Sequence, residues 1–217
     1  MSNPPPDPRW PAAIALFAAA ALPFALPRSL TLASAWVLVP TNVVLLTGAI
    51  LAHRHNRTTV TDSFSYANLG LLTLSMLYSI VMLVLGLVHH AESAPKLLQS
   101  AAILWFANVI VGAAWYWRLD AGGPHARESR AAHMEGAFLF PQMATDAPGR
   151  RGVSLAEAEG WRPGFIDYLA ISFYTCTAFS PTDVQVLTRW AKLLMMLQAA
   201  MAFGTVILLT ARAVNIL

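Results

Sequence analysis

Apolar runs without a charged residue make up most of this chain, and short polar connectors separate them. Crossing the hydrocarbon core of a bilayer, about 30 Å thick, takes about 20 apolar residues in a helix. Five runs reach or approach this length. They are residues 11–27, 29–52, 63–88, 97–117 and 193–211. The pattern therefore predicts an all-α integral membrane protein with five transmembrane helices.

A further stretch, residues 167–183, begins like a helix and ends in the polar run Ser180-Pro181-Thr182-Asp183. The last span follows this stretch directly. Because it is short and polar at its end, it is unsuited to crossing a bilayer. We therefore predict a re-entrant helix and loop, which enters and leaves the membrane on one side, before the final helix.

The remaining segments complete the predicted organisation. The proline-rich residues 1–10 are typical of a disordered leader. Residues 11–118 form a four-span bundle, 119–163 a hydrophilic connecting loop, and 164–217 the re-entrant segment with the final helix. Signal peptides begin with a positively charged region, whereas the one arginine of this leader is offset by an aspartate. We therefore interpret the first run as a transmembrane span. Pro23 is expected to kink this run or to end it early.

Composition narrows the functional classes. Only 12% of the 217 residues are charged, against roughly 25% in soluble domains, and the net charge is +3. No basic cluster favours nucleic-acid binding. Cys176 is the single cysteine, which excludes an internal disulfide. The expected partner is the lipid bilayer, and the expected location is the inner (plasma) membrane.

Polar residues inside the spans are interpreted as structural. Pro40-Thr41-Asn42 is interpreted as a kink packed on a neighbour rather than as a ligand-facing break. Asn108 is expected to hydrogen-bond between helices, and Gln198 is also polar at membrane depth. Ala200 and Gly204 form a small-xxx-small pair suited to close helix packing or to a bend.

Residues that could carry catalysis or bind a metal are few. They are His53 with His55, His89 with His90, and Glu157 with Glu159. We interpret the histidines as residues of solvated turns and the glutamates as surface charges. We therefore expect neither a bound metal nor a cofactor. The chain has no phosphate loop, zinc-protease motif or nucleophile elbow. Since no span carries an ionisable residue at mid-depth, an enzyme or a proton-coupled transporter is disfavoured.

Residues 173–183 read Phe-Tyr-Thr-Cys-Thr-Ala-Phe-Ser-Pro-Thr-Asp. Together with the following helix, this segment resembles the pore loop and inner helix of the tetrameric potassium-channel superfamily, whose filter sequence is Thr-x-Thr-Thr-Val-Gly-Tyr-Gly-Asp. Thr175, Thr177 and Asp183 match that filter sequence without a gap. Gly204 lies about where the family has its hinge glycine. The resemblance covers residues 165–217, about a quarter of the chain.

The resemblance implies a homotetrameric pore for monovalent cations. Its lining would be Thr175, Cys176, Thr177, Ala178, Phe179, Ser180, Pro181, Thr182 and Asp183. Ser180 and Thr182 replace the filter glycines, and Pro181 replaces the tyrosine. The filter glycines adopt backbone conformations that a β-branched residue such as Thr182 resists, and Ala178 lacks the hydroxyl of the innermost ion site. We therefore expect a wider, partly hydrated pore with poor or absent potassium selectivity, in which Asp183 supplies a ring of negative charge.

The pattern of the whole chain also resembles a bacterial family of multi-pass membrane proteins of unassigned function. Phe140-Pro141, Asp167-Tyr168-Leu169 and Thr182-Asp183 carry this likeness, which implies no activity. A non-conducting scaffold or partner-binding protein with a vestigial pore loop is the alternative to a channel. The sequence Ser-Pro-Thr-Asp supports this alternative because it is also a good turn.

Charge distribution and the channel resemblance disagree about the side from which the loop enters. The face predicted to carry the loop mouth holds Arg9, Arg54, Arg57, Arg118, Arg127, Arg130 and Arg189. The opposite face holds Arg28, Lys96 and Arg212. The positive-inside rule makes the first face cytoplasmic, whereas the pore loop of a potassium channel enters from outside. We favour the charge rule and hence cytoplasmic entry.

Overall fold

The computed structural model describes residues 8–89, 94–129, 136–143, 161–178, 180 and 183–214. In these residues the helices and strands are α1 (Trp10–Ala21), α2 (Ala35–Arg54), α3 (Thr58–His89), α4 (Ala94–Leu119), α5 (Pro124–Glu128), β1 (Phe138–Leu139), α6 (Phe165–Thr177), β2 (Gln185–Val186) and α7 (Arg189–Val214). Short 3-10 turns lie at Leu22–Phe24, Arg28–Leu30, Asp120–Gly122 and Pro141–Met143. The chain divides into two compact units. We call residues 1–12 with 112–199 the loop unit, and residues 13–111 with 200–217 the helical unit.

Four helical segments are long and apolar enough to cross a membrane. They are Ala35–Arg54, Thr58–Gly86, Pro95–Gly122 and Arg189–Ile207. They correspond to the last four predicted spans, and the all-α class is confirmed apart from the two-residue strands. The arrangement is compatible with a multi-pass membrane protein.

The first predicted span, residues 11–27, is not confirmed. In its place lies a shorter apolar helix, Trp10–Phe24, whose α-helical part has 12 residues. The α-helix ends at Ala21 because Pro23, which has no N–H to donate, falls in the 3-10 turn that follows. The predicted effect of Pro23 is therefore confirmed, and the total of five spans is not.

Helices α2 and α3 of the helical unit are joined by a tight turn and pack closely. Asn56 in the turn has a φ of 55°, a left-handed conformation that asparagine tolerates better than most residues. A Cβ atom on Gly48 would lie 3.1 Å from the ring of Phe64, so glycine lets α2 and α3 approach here. The buried apolar side chains of this unit include Leu16, Leu30, Leu38, Leu46, Leu69, Leu72, Met76, Leu83, Leu97 and Leu104.

Helix α2 continues through Pro40 without interruption. Asn42 is buried, and its Nδ2 atom donates to the carbonyl of Leu38 at 2.8 Å. Nδ2 of Asn68 on α3 donates to the backbone carbonyl and to Oδ1 of Asn42, at 3.1 and 3.2 Å. Asn42 thus joins two helices, as expected of a proline site that packs on a neighbour.

A small cavity lies inside the helical unit. Leu38, Leu72 and Leu104 line it together with the polar residues Asn42 and Ser75, and its volume is about 30 Å³. This is room for one or two water molecules.

Candidate functional site

The candidate site is built around α6. Gly164 caps the helix, and the carboxylate of Asp167 accepts a hydrogen bond from the Gly164 N–H at 2.7 Å. The helix has 13 residues, which at a rise of about 1.5 Å per residue fall short of the roughly 30 Å of a bilayer core. A helix in this place is thus confirmed, beginning two residues before the predicted start at Asp167. Its re-entrant course stays a prediction.

The two faces of α6 have different surroundings. Its buried side chains are Phe165, Tyr168, Ile171, Ser172, Thr175 and Cys176. Ile166, Phe173, Tyr174 and Thr177 are exposed. One face of the helix therefore packs within the loop unit, while the other is left for lipid, solvent or another molecule.

The residues that follow α6 include one strand of a short antiparallel pair. Strand β2 pairs with β1, with Phe138 opposite Val186 and Leu139 opposite Gln185. The Leu187 N–H extends this ladder by donating to the carbonyl of Ala137 at 2.8 Å. The apolar segment 136–143 thus anchors the chain that follows α6.

A single glutamine, Gln198 on α7, connects three helices of the loop unit. Its Oε1 atom accepts a hydrogen bond from the hydroxyl of Tyr116 on α4. Its Nε2 atom donates to Oγ of Ser172 at 2.6 Å and to Sγ of Cys176 at 3.2 Å, both on α6. We call Gln198, Tyr116, Ser172 and Cys176 the amide node. The node accounts for the polar residue predicted at membrane depth in the last span.

Gly112 on α4 provides the space that the amide node occupies. A Cβ atom at this position would lie 2.6 Å from Cδ of Gln198, well inside van der Waals contact. A side chain at this position would therefore force the amide of Gln198 to shift. Gln198 is 2% exposed, so its amide relies on protein partners.

A second polar cluster forms where α4 ends. Asp120 is completely buried and accepts hydrogen bonds from the Ala137 N–H and, at 2.6 Å, from the hydroxyl of Tyr168 on α6. The buried guanidinium of Arg127 donates at 2.8 Å to the carbonyls of Trp117 and Asp120. Its Cζ atom lies 5.1 Å from the centre of the Tyr168 ring. We call Asp120, Arg127 and Tyr168 the Asp120 cluster.

The turn that holds the Asp120 cluster requires glycine. Gly122 and Gly123 have φ angles of 81° and 88°, in the left-handed region. A Cβ atom on Gly123 would also lie 2.9 Å from the carbonyl oxygen of Arg118. This turn sends the chain from α4 into α5, whose Arg127 can then return to the carboxyl end of α4.

Burial dominates the pKa shifts of α6. It raises the pKa of Tyr168, an effect that Arg127 opposes and Asp120 reinforces, so the phenol stays protonated and donates to Asp120. Burial also raises the pKa of the Asp167 carboxyl group, against the lowering effect of the Gly164 N–H. It raises the pKa of the Cys176 thiol as well, which leaves little reactive thiolate at neutral pH.

Aromatic rings fill the space between these polar groups. Phe138 on β1 is completely buried and makes edge-on contacts with Tyr116, Tyr168 and Trp190, at centroid distances of 5.3–6.3 Å. Edge-on ring pairs of this kind contribute about 0.5–1.5 kcal/mol beyond the area they bury. The strand pair is therefore fixed to α4, α6 and α7 by its side chains as well as by its backbone.

The predicted pore-lining residues fall into two groups. Thr175 and Cys176 lie on the buried face of α6, and the Thr175 hydroxyl donates to the carbonyl of Ile171 at 2.8 Å. Thr177, Ala178, Ser180 and Asp183 are exposed. Phe179, Pro181 and Thr182 lie outside the described residues, as do Glu157 and Glu159 of the hydrophilic loop.

Two further predictions concern a hinge glycine and a metal site. Gly204 lies on α7 in the helical unit, and a Cβ atom there would meet no other atom within 4 Å in the described chain. No close approach requires glycine at this position, and its role as a hinge stays a prediction. Among the described residues, no three His, Cys, Asp or Glu side chains are grouped so that they could hold a metal ion.

Sequence reasoning missed the partners in both polar clusters. The sequence places Asp120 in the hydrophilic loop, yet it is one of the most buried of the described residues. The pair Gly122-Gly123 directly after a span is a helix-ending signal, and it indicates where the turn lies. Nothing in the local sequence indicates that Asp120 and Gln198 bind to α6.

Compared with protein-family models, with curated proteins and with solved structures, this chain matches none of them. The class of protein therefore rests on the helices themselves, which by length and composition are compatible with a multi-pass membrane protein.

Proposed function

We propose that this chain is a channel-like membrane protein whose copies line a cation pore with the residues that follow α6. One observation carries the proposal: α6 is too short to cross a bilayer, is held on one face by side-chain bonds, and has exposed polar residues at its last position and in the residues that follow. Those residues are Thr177, Ser180 and Asp183. A short helix fixed in this way supports a loop that lines a shared axis.

The chemistry at the end of α6 suits cations. The carboxyl end of a helix carries a partial negative charge of roughly half an electron. The hydroxyl of Thr177 donates to the carbonyl of Phe173 at 2.8 Å, so its oxygen lone pairs point away from that bond. With the carboxylate of Asp183, several copies of these groups would attract cations, as rings of acidic residues do in known channels.

Poor selectivity between potassium and sodium follows from the backbone. A stacked filter needs successive carbonyl groups directed at one axis, which glycines allow. This chain has Ser180 and Thr182 at those positions. We therefore propose a hydrated pathway lined by hydroxyl groups and Asp183, whereas a lining role for Thr175 and Cys176 requires α6 to turn in the assembled protein.

A non-conducting scaffold is the second candidate. It is favoured by the burial of Thr175 and Cys176 against their own chain, where they form part of the packing of α6. In this case α6 and the strand pair brace the loop unit, and the exposed polar end of α6 meets solvent or a partner protein.

Ion flux into liposomes tests the proposal. Purified protein is reconstituted, and sodium and potassium uptake are compared for the wild type and the Asp183→Asn variant. Asp62→Asn on α3 is the matched control because it removes the same charge from another element. We expect comparable sodium and potassium flux, lowered several-fold by Asp183→Asn and unchanged by Asp62→Asn.

Two results would contradict the channel. One is flux no greater than in protein-free liposomes, and the other is flux that Asp183→Asn leaves unchanged. The first result would favour the scaffold.

A further inference from the structure

We propose that Gln198 is the residue that positions α6, and that its amide fixes where the end of α6 presents Thr177 and the following loop. This inference deepens the proposed function and rests on it only for the effect on ion flux. The positioning itself is tested separately, through the chemistry of Cys176.

The geometry of the amide node makes Gln198 suited to this role. Ser172 and Cys176 are four residues apart and lie on one face of α6, so the Gln198 amide spans a full turn of that helix. On its other side the same amide accepts from Tyr116. An aliphatic side chain would fill the volume but make none of these three bonds.

The two halves of the amide have separate tasks, which allows them to be tested apart. The Nε2 atom contacts α6, whereas the Oε1 atom contacts α4. Removing the Tyr116 hydroxyl leaves a buried acceptor without its donor and also removes the contact of that hydroxyl with Thr175, which destabilises the protein, but it leaves both bonds from Gln198 to α6. Removing the whole amide breaks the bonds to both helices.

Gly112 gives a second way to break the node. The methyl group of Gly112→Ala overlaps the amide of Gln198, because the added carbon lies 2.6 Å from Cδ. The glutamine must then move away from α4. Gly112→Ala is thus expected to disturb the amide without changing a residue of α6 or α7.

Cys176 is a built-in reporter of the position of α6. It is the single cysteine of the chain, is 1% exposed and lies against the amide of Gln198. Burial and the raised pKa of its thiol make reaction with a maleimide slow in the native protein. The rate at which Cys176 is labelled therefore reports how often α6 moves away from its packed position and exposes the thiol.

The experiment compares maleimide labelling of Cys176 in reconstituted wild-type protein and in Gln198→Leu, Gly112→Ala and Tyr116→Phe. Each variant is labelled at a temperature the same number of degrees below its own melting temperature. A general loss of stability then does not by itself produce a difference in labelling rate. We expect labelling to rise about tenfold in Gln198→Leu and to a lesser extent in Gly112→Ala. In Tyr116→Phe it should stay within about twofold of the wild type.

Labelling that is unchanged in Gln198→Leu, or raised as much in Tyr116→Phe, overturns the inference. Should Gln198→Leu not fold, Ser172→Ala removes one bond to α6 and replaces it in the comparison. Flux measured on the same liposomes separates the two proposals. If the labelling results are as expected but neither the wild type nor any variant conducts ions, the positioning role of Gln198 is supported and the channel proposal is contradicted.

Discussion

Buried polar side chains are used differently in the two units of this protein. In the helical unit, apart from the Asn42–Asn68 pair, hydroxyls such as that of Ser79 donate to the carbonyl four residues earlier in their own helix. In the loop unit, Tyr116 bonds to Gln198, 82 residues away, and Tyr168 bonds to Asp120, 48 residues away. The first kind of bond satisfies a polar group, whereas the second also fixes one element against another.

The difference indicates where precise positioning matters. A hydroxyl bonded to its own helix leaves that helix free to slide or rotate against its neighbours. Bonds between distant elements hold α6 in one place. These bonds lie on the buried face of the helix, whereas Thr177 at its end lies on the exposed face. The amide node and the Asp120 cluster therefore both fix the helix that precedes the proposed pore-lining residues.

The largest expected effect is the loss of the Asp120 cluster. Asp120→Ala leaves the Ala137 N–H and the Tyr168 hydroxyl without their buried acceptor. We expect the free energy of unfolding to fall by about 3 kcal/mol, measured by denaturant unfolding in detergent micelles.

Asp62→Ala on α3 is the control, because the partly exposed Asp62 near the start of that helix should cost less than about 1 kcal/mol. Equal losses in the two variants would show that the Asp120 cluster does not hold the loop unit together.

A glycine in each unit sharpens the comparison further. Gly112→Ala forces a methyl group against Gln198, and we expect it to lower the free energy of unfolding by about 2 kcal/mol. Gly204→Ala meets no atom within 4 Å and replaces glycine in a helix, so it should be neutral or stabilise by up to about 1 kcal/mol. Thermal unfolding of both variants in the same detergent checks the pair. A destabilised Gly204→Ala would point instead to a packing or hinge role for that glycine.

The smallest effect is expected at the asparagine pair of the helical unit. Asn68→Leu removes two hydrogen bonds to Asn42 at 3.1 and 3.2 Å. Bonds between helices inside membranes contribute about 0.6 kcal/mol on average, so a loss of about 1 kcal/mol is expected. The same unfolding assay measures it. A loss as large as that of Asp120→Ala would remove the distinction between the two units.

Much of the fold could be predicted because the spans are uncharged apolar runs with polar ends. Runs such as residues 63–88 and 97–117 correspond to α3 and α4, whose ends extend a few residues into the connectors. Residues 11–27 were the exception, since Pro23 ends the α-helix early. The strands β1 and β2 were missed because two residues each carry no detectable alternation.

The helix α6 could be predicted from the sequence, whereas its contacts could not. The polar end of residues 167–183 marked the segment, since polar residues next to a short apolar helix are visible in the sequence. That Thr175 faces inward while Thr177 is exposed depends on which face of α6 packs. This choice is made by Asp120 and Gln198, whose partners lie far away in the sequence.

The mass of the purified protein in detergent tests the central claim most directly, because one copy of the loop after α6 cannot enclose a pore. Multi-angle light scattering, corrected for bound detergent, gives the number of chains in each particle. A shared pore lined by Thr177, Ser180 and Asp183 predicts four chains of 23.5 kDa each. A particle of one or two chains would contradict it.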